Sequence, residues 1–118
     1  MNDYTAYLPH IDATEGIKRI MGNKKLFITM LGRFKLRQMT DAVTAAIESG
    51  DAEKMAFAAH ALKGTAGNLG FPTLYTHTAD MEQRAKEGND IAPLMPQLEE
   101  LVETIIPLVA MFIEKESD

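Results

Sequence analysis

Four glycines, Gly22, Gly50, Gly70 and Gly88, divide this chain, and each follows a run whose apolar residues recur three and four apart. That spacing is the period of a helix with one buried stripe. A glycine just past the last periodic residue stops a helix, because it adopts the left-handed backbone without a Cβ penalty. No run shows the two-residue alternation of a strand, and there is no internal repeat, linker or low-complexity block. The expected fold is all-α: an up-and-down antiparallel four-helix bundle with a short extra N-terminal helix. The 118 residues suit a single domain over 1–118, long enough to bury one core.

In chain order, residues 1–10 carry Pro9 and no sustained period, and are expected to pack loosely. Asp12 with Glu15 reads as an acidic capping box opening a short helix edged by Ile17, Ile20 and Met21. Asn23 caps the next helix, which the pattern carries to Ser49. Its apolar residues form two stripes: Phe27, Met30, Leu31 and Phe34 on one side, Leu36, Met39, Val43 and Ile47 nearly opposite. One long helix that changes partners half-way is expected, with a break near Lys35 as the alternative. Asp51 caps the following helix, Gly70 closes it, and Pro72 opens another whose Leu74, Thr78, Met81 and Ala85 share a face. Asn89 and Asp90 cap the last. There Leu94, Leu98, Leu101, Ile105, Leu108 and Phe112 form a bundle seam, bent at Pro107, and the polar end from Glu114 to Asp118 is expected to fray.

The helix from Asp51 to Gly70 carries the chemistry. Met55, Ala58, Ala59, Leu62, Ala66 and Leu69 make its buried stripe. At about 100° per residue, His60 lies roughly 200° from Leu62 and roughly 180° from Leu69, so its imidazole faces water. Lys63 and Gly64, at i+3 and i+4, are its lateral neighbours, and Gly67 follows one turn later. A glycine inside a helix costs about 1 kcal/mol relative to alanine. The compensation expected for Gly64 is access, since a bare surface lets a large partner approach the imidazole. Gly67 serves either access or close helix packing. A largely unprotonated imidazole is a nucleophile near neutral pH, and Lys63 is a mobile cation in reach of any anion attached to it. The arrangement suits a phosphoryl group, and nothing in the stretch could bind ATP.

The run His60-Ala61-Leu62-Lys63-Gly64-Thr65-Ala66-Gly67-Asn68-Leu69-Gly70 resembles the histidine-containing phosphotransfer (HPt) family, matching its His-x-Leu-Lys-Gly-x-Ala-x-x-x-Gly pattern at every patterned position. Asp12, Gly16 and Ile17 match the family's leading segment. Leu74 to Glu82 matches its Leu-x-x-x-Ala-x-x-apolar-Glu pattern, with Thr78 in the small position and Ala79 beside it. The resemblance covers about residues 10 to 88 and implies a phosphorelay carrier. His60 takes a phosphoryl group from a receiver-domain aspartate and passes it to another receiver, with Lys63 stabilising the group. Phe57, Ala61, Gly64, Gly67, Asn68 and Phe71 are the candidate partner-binding residues. No cofactor is expected on this chain, and Mg²⁺ is expected on the partner receiver. A hybrid histidine kinase is the expected upstream partner.

Composition removes other classes. A formal charge of −5 lacks the basic footprint of a nucleic-acid binder. Arg33, Lys35 and Arg37 are the only local basic cluster and read as a solvated helix face. There is no cysteine, hence no thiolate site. His77 and Asp80 offer too few ligands for a metal with His60. No nucleophile motif or phosphate-cradling loop points to an autonomous enzyme. No run of about 18 apolar residues spans a membrane, and the start, Met1-Asn2-Asp3-Tyr4, has no signal-peptide character. A cytoplasmic monomer is expected. Two alternatives remain: a phosphoacceptor module loaded directly by a chemotaxis-type histidine kinase, and a helical adaptor that is not phosphorylated.

Overall fold

A computed structural model describes residues 3–117; Met1, Asn2 and Asp118, on which parts of the leader and tail expectations fall, lie outside the described residues. Six helices follow one another: α1 (Ala13–Arg19), α2 (Lys24–Arg33), α3 (Leu36–Ser49), α4 (Ala52–Leu69), α5 (Pro72–Lys86) and α6 (Met95–Glu116). Short 3₁₀ turns at Thr5–Tyr7 and Ala92–Leu94 complete the described residues, which contain no strand. Each of α3 to α5 packs on its successor and α6 closes back on α3, so these four make the bundle. Helix α2 extends it against α6 and α4, and α1 lies across α4 and α2. The fold is the expected all-α helical bundle.

Local chemistry sets the helix ends. Asp12, Asn23 and Asp51 each accept a backbone N–H from the first turn of α1, α2 and α4, replacing a bond the helix cannot make for itself. At the end of α4, Gly70 is left-handed (φ 75°). Its N–H donates to the Gly67 carbonyl, and the Phe71 N–H to that of Ala66, a Schellman closure.

The cap expected at Asn89 and Asp90 does not fall on the last helix: Asp90 accepts the Ala92 N–H of the 3₁₀ turn, and α6 opens after Leu94 with no side-chain cap. Three further expectations need correction. First, the single helix expected from Asn23 to Ser49 is broken at Phe34 and Lys35, the alternative that the two stripes allow. A straight helix can turn only one of two opposite stripes inward. The break lets Phe27 and Leu31 bury from α2 and Leu36 and Val43 from α3, while Phe34 stacks on Phe71 with ring centroids 5.3 Å apart. Arg33 and Arg37 consequently share no helix, and Arg37 pairs with Glu99 of α6 at 2.8 Å.

Second, residues 3–10 do not pack loosely. Tyr4 and Tyr7 are buried, with rings 5.3 and 5.1 Å from that of Phe112, which also meets Phe27 edge-on at 5.7 Å. Aromatic area without a period is still core. Third, where fraying is expected from Glu114, the helix continues: α6 runs to Glu116, whose carboxylate lies 2.7 Å from the Lys24 ammonium.

Helix α1 is fastened where α4 turns into α5. The Asp12 N–H donates to the Gly70 carbonyl at 2.7 Å. A Cβ on Gly70 would come within 2.6 Å of the Asp12 carbonyl oxygen, and one on Gly16 within 2.5 Å of the Phe27 ring. Left-handed backbone at a non-glycine costs about 1–2 kcal/mol, and overpacking adds about 1–3 kcal/mol. Gly70→Ala should therefore destabilise the fold by about 2–5 kcal/mol in urea unfolding. A loss below about 0.5 kcal/mol, the scale of an ordinary surface change, would show that α1 is not fastened there.

Candidate functional site

The tight turn at Gly70 and Phe71 sets the register of the α4–α5 hairpin. His60 and Glu82 each stand eleven residues from Phe71, and Gly67 and Tyr75 each stand four. Both pairs meet across the hairpin. A Cβ on Gly67 would lie 3.2 Å from the Tyr75 ring, and His60 Nδ1 lies 2.8 Å from Glu82 Oε2. The turn chemistry thus delivers a carboxylate to the imidazole.

Glu82 is 4% exposed, whereas the His60 side chain is 65% exposed. Lys63 reaches Glu82 Oε1 at 2.6 Å, and Lys86, one turn further along α5, reaches Oε2 at 3.1 Å. Burial alone raises a carboxyl pKa, but hydrogen bonds from Lys63, Lys86 and His60 outweigh it and hold Glu82 at about 2. Its hydrogen bond to Glu82 in turn raises the Lys63 ammonium above its ordinary value. An ionised carboxylate only accepts hydrogen bonds. His60 Nδ1 must therefore carry the proton and donate, which in the neutral ring leaves the lone pair on Nε2. That is the nitrogen free to react.

The remaining sequence-predicted residues divide. Phe57 is 77% exposed, and Ala61 and Gly64 are exposed beside it on the His60 face of α4. Nothing lies within 4 Å of a Cβ built on Gly64, so no contact inside the protein accounts for glycine there. Gly67 is different, because the Tyr75 ring packs over it. Asn68 is exposed and lines a groove of about 480 Å³ with Arg19, Lys63, Gly64, Gly67 and Tyr75. Lys63 is seated on Glu82 instead of extending freely into solvent. Phe71 is a correction: it is fully buried and stacked on Phe34, so it offers no surface to a partner. As the residue after the Schellman glycine, its side chain folds back onto the helix end.

His77 belongs to the core, its Nε2 donating to the Leu94 carbonyl at 2.9 Å. Thr78 fills the small position of α5, fully buried with its hydroxyl donating to the Leu74 carbonyl. Among the described residues no three His, Asp or Glu side chains converge as metal ligands, and no helix is long and apolar enough to cross a membrane.

Sequence reasoning does not assign Glu82 and Lys86 to the site. The signal is present in the hairpin itself, since a tight turn at Gly70 and Phe71 pairs residues equally far on either side.

The carboxylate makes a titration prediction. Between pH 4.5, an ordinary glutamate value, and about 2, the unfolded chain binds a proton that folded Glu82 refuses. Stability from this group is full above that window and is lost as pH falls through it. The urea midpoint should drop more steeply from about pH 5 to about pH 3 in the unmodified chain than in Glu82→Gln. Equal slopes would show that the buried carboxylate is not ionised.

Comparison with protein families finds that the Hpt domain matches residues 31–106, from the end of α2 to the middle of α6 and well over half of the chain. Comparison with curated proteins and with solved structures returned no match. Hpt domains are phosphotransfer carriers of two-component phosphorelays that pair with receiver domains and are generally not autonomous enzymes. The matched span holds both hairpin helices and the whole His60, Lys63, Glu82 and Lys86 cluster, and the chain belongs to the Hpt domain family.

Proposed function

We propose that this chain is a phosphorelay carrier in which His60 Nε2 accepts a phosphoryl group from a receiver aspartate and returns it to an aspartate of another receiver. The observation that carries this reading is the 2.8 Å contact of His60 Nδ1 with Glu82, which assigns the lone pair to Nε2 on an exposed imidazole. In the forward step that lone pair forms the N–P bond. The P–O bond to the donor carboxylate breaks, and its electron pair leaves on the aspartate oxygen. The phosphorylated ring gains positive character, which the ionised Glu82 opposes across Nδ1–H. A ring of that character is also a good leaving group, so the same geometry serves the return step.

The receiver supplies Mg²⁺ and the acidic cluster around its aspartate. This chain supplies the nucleophile, the charge of Lys63 beside it, and a docking face of Phe57, Ala61 and Gly64, with Asn68 further along α4. A hybrid histidine kinase is the proposed source of phosphate, the cytoplasm the proposed location, and a monomer the working form. The net charge of −5 argues against nucleic acid as a partner.

Incubation with a radiolabelled phosphorylated receiver should give an acid-labile, alkali-stable adduct that disappears in His60→Gln. Labelling that survives His60→Gln would sink the proposal. A chain that binds receivers equally well with and without His60 but never takes label would be an adaptor instead.

Gly64→Ala fills empty space and should stabilise the helix by up to about 1 kcal/mol. Gly64→Leu should leave the bundle folded by circular dichroism yet slow transfer by about a hundredfold, the scale expected of a misplacement of about 1 Å. Unchanged transfer in Gly64→Leu would refute access as the reason for the glycine.

A further inference from the structure

The Glu82 cluster holds two ammonium groups and one carboxylate, and Lys63 and Lys86 are not held alike. Lys63 lies 2.6 Å from Oε1 with a side chain 24% exposed. Lys86 lies 3.1 Å from Oε2 with a side chain 59% exposed, and it shares that oxygen with His60 Nδ1. Its ammonium is therefore linked to the Nδ1 side of the imidazole through one shared oxygen, on a flexible stem and in water. A phosphoryl group on Nε2 brings roughly two negative charges to the other nitrogen of the same small ring. One cation must stay with Glu82, because a buried carboxylate stripped of its partners is costly. The closer and less exposed Lys63 is suited to stay. Lys86 can leave Oε2 without stranding it, since Nδ1–H still donates there.

We propose that Lys86 is a second phosphoryl-stabilising residue, moving from Glu82 Oε2 to a phosphoryl oxygen when His60 Nε2 is loaded. This rests on the reading of His60 as phosphoacceptor. Lys63 acts on the phosphoryl charge from its seat on Oε1, and Lys86 meets the group directly. The unloaded site then carries one positive charge in excess, placed where the incoming group is negative. No proton moves in the exchange; one ammonium trades a carboxylate oxygen for a phosphoryl oxygen.

The test loads the full chain with phosphoramidate, which needs no receiver, and follows phosphohistidine by ³¹P NMR as pH is varied. Removing a neighbouring cation should raise the phosphoryl group's apparent pKa. An exposed ion pair and the free-energy equivalent of a pKa unit put that rise at about 0.5, or roughly threefold in proton affinity. Lys86→Met should show the rise, and Lys86→Arg should restore the original titration. A lysine that only ties α5 to Glu82 would alter the thermal melt and leave the phosphoryl titration unchanged. Identical ³¹P titrations in Lys86→Met and the unmodified chain would overturn the role of Lys86 while leaving His60 as acceptor. Failure of the unmodified chain to form phosphohistidine at His60 would overturn both.

Discussion

Glu82 is a charged carboxylate on the inner side of α5, 4% exposed, and it persists there because three donors reach it. An isolated buried charge would neutralise or expel itself. With Lys63, Lys86 and His60 arranged around it, the carboxylate stays ionised well below the usual glutamate range. Its effect reaches the chemistry through one hydrogen bond. An acceptor-only oxygen at Nδ1 decides which imidazole nitrogen holds the proton, and so which one holds the lone pair.

The backbone has little freedom to place that carboxylate elsewhere. Gly70 permits a left-handed turn, the Schellman bonds close α4, and Pro72 begins α5 at once. Helix α1 then sits against the turn so closely that neither Gly16 nor Gly70 has room for a Cβ. Gly67 lets the Tyr75 ring pack against α4 in the same hairpin. Gly64 belongs to another category, because the protein itself makes no use of its bareness. Three of these glycines are explained by contacts inside the fold, whereas no such contact accounts for Gly64.

Much of this is legible in the sequence. Helical period and glycine stops point to the all-α architecture, and the outward angle of His60 follows from the stripe through Leu62 and Leu69. The limits are physical. Two opposed stripes between Asn23 and Ser49 are compatible with either a partner change or a break, and it is tertiary packing, which buries both stripes and stacks Phe34 on Phe71, that goes with the break. Tyr4 and Tyr7 have no periodic context, so their burial on Phe112 cannot be read from spacing. Phe71 follows the signature stretch, which suggests a surface role, yet its position after a Schellman glycine already directs it inward. Glu82 and Lys86 are visible as residues, but their meeting with His60 depends on hairpin register, a property of two helices together.

The most direct test is to identify the nitrogen that carries phosphate. After transfer from a phosphorylated receiver to ¹⁵N-histidine-labelled protein, ³¹P–¹⁵N coupling should place the group on Nε2 of His60, with the proton retained on Nδ1. Phosphate on Nδ1, or on any other residue, would contradict the assignment of the lone pair and with it the role given to Glu82.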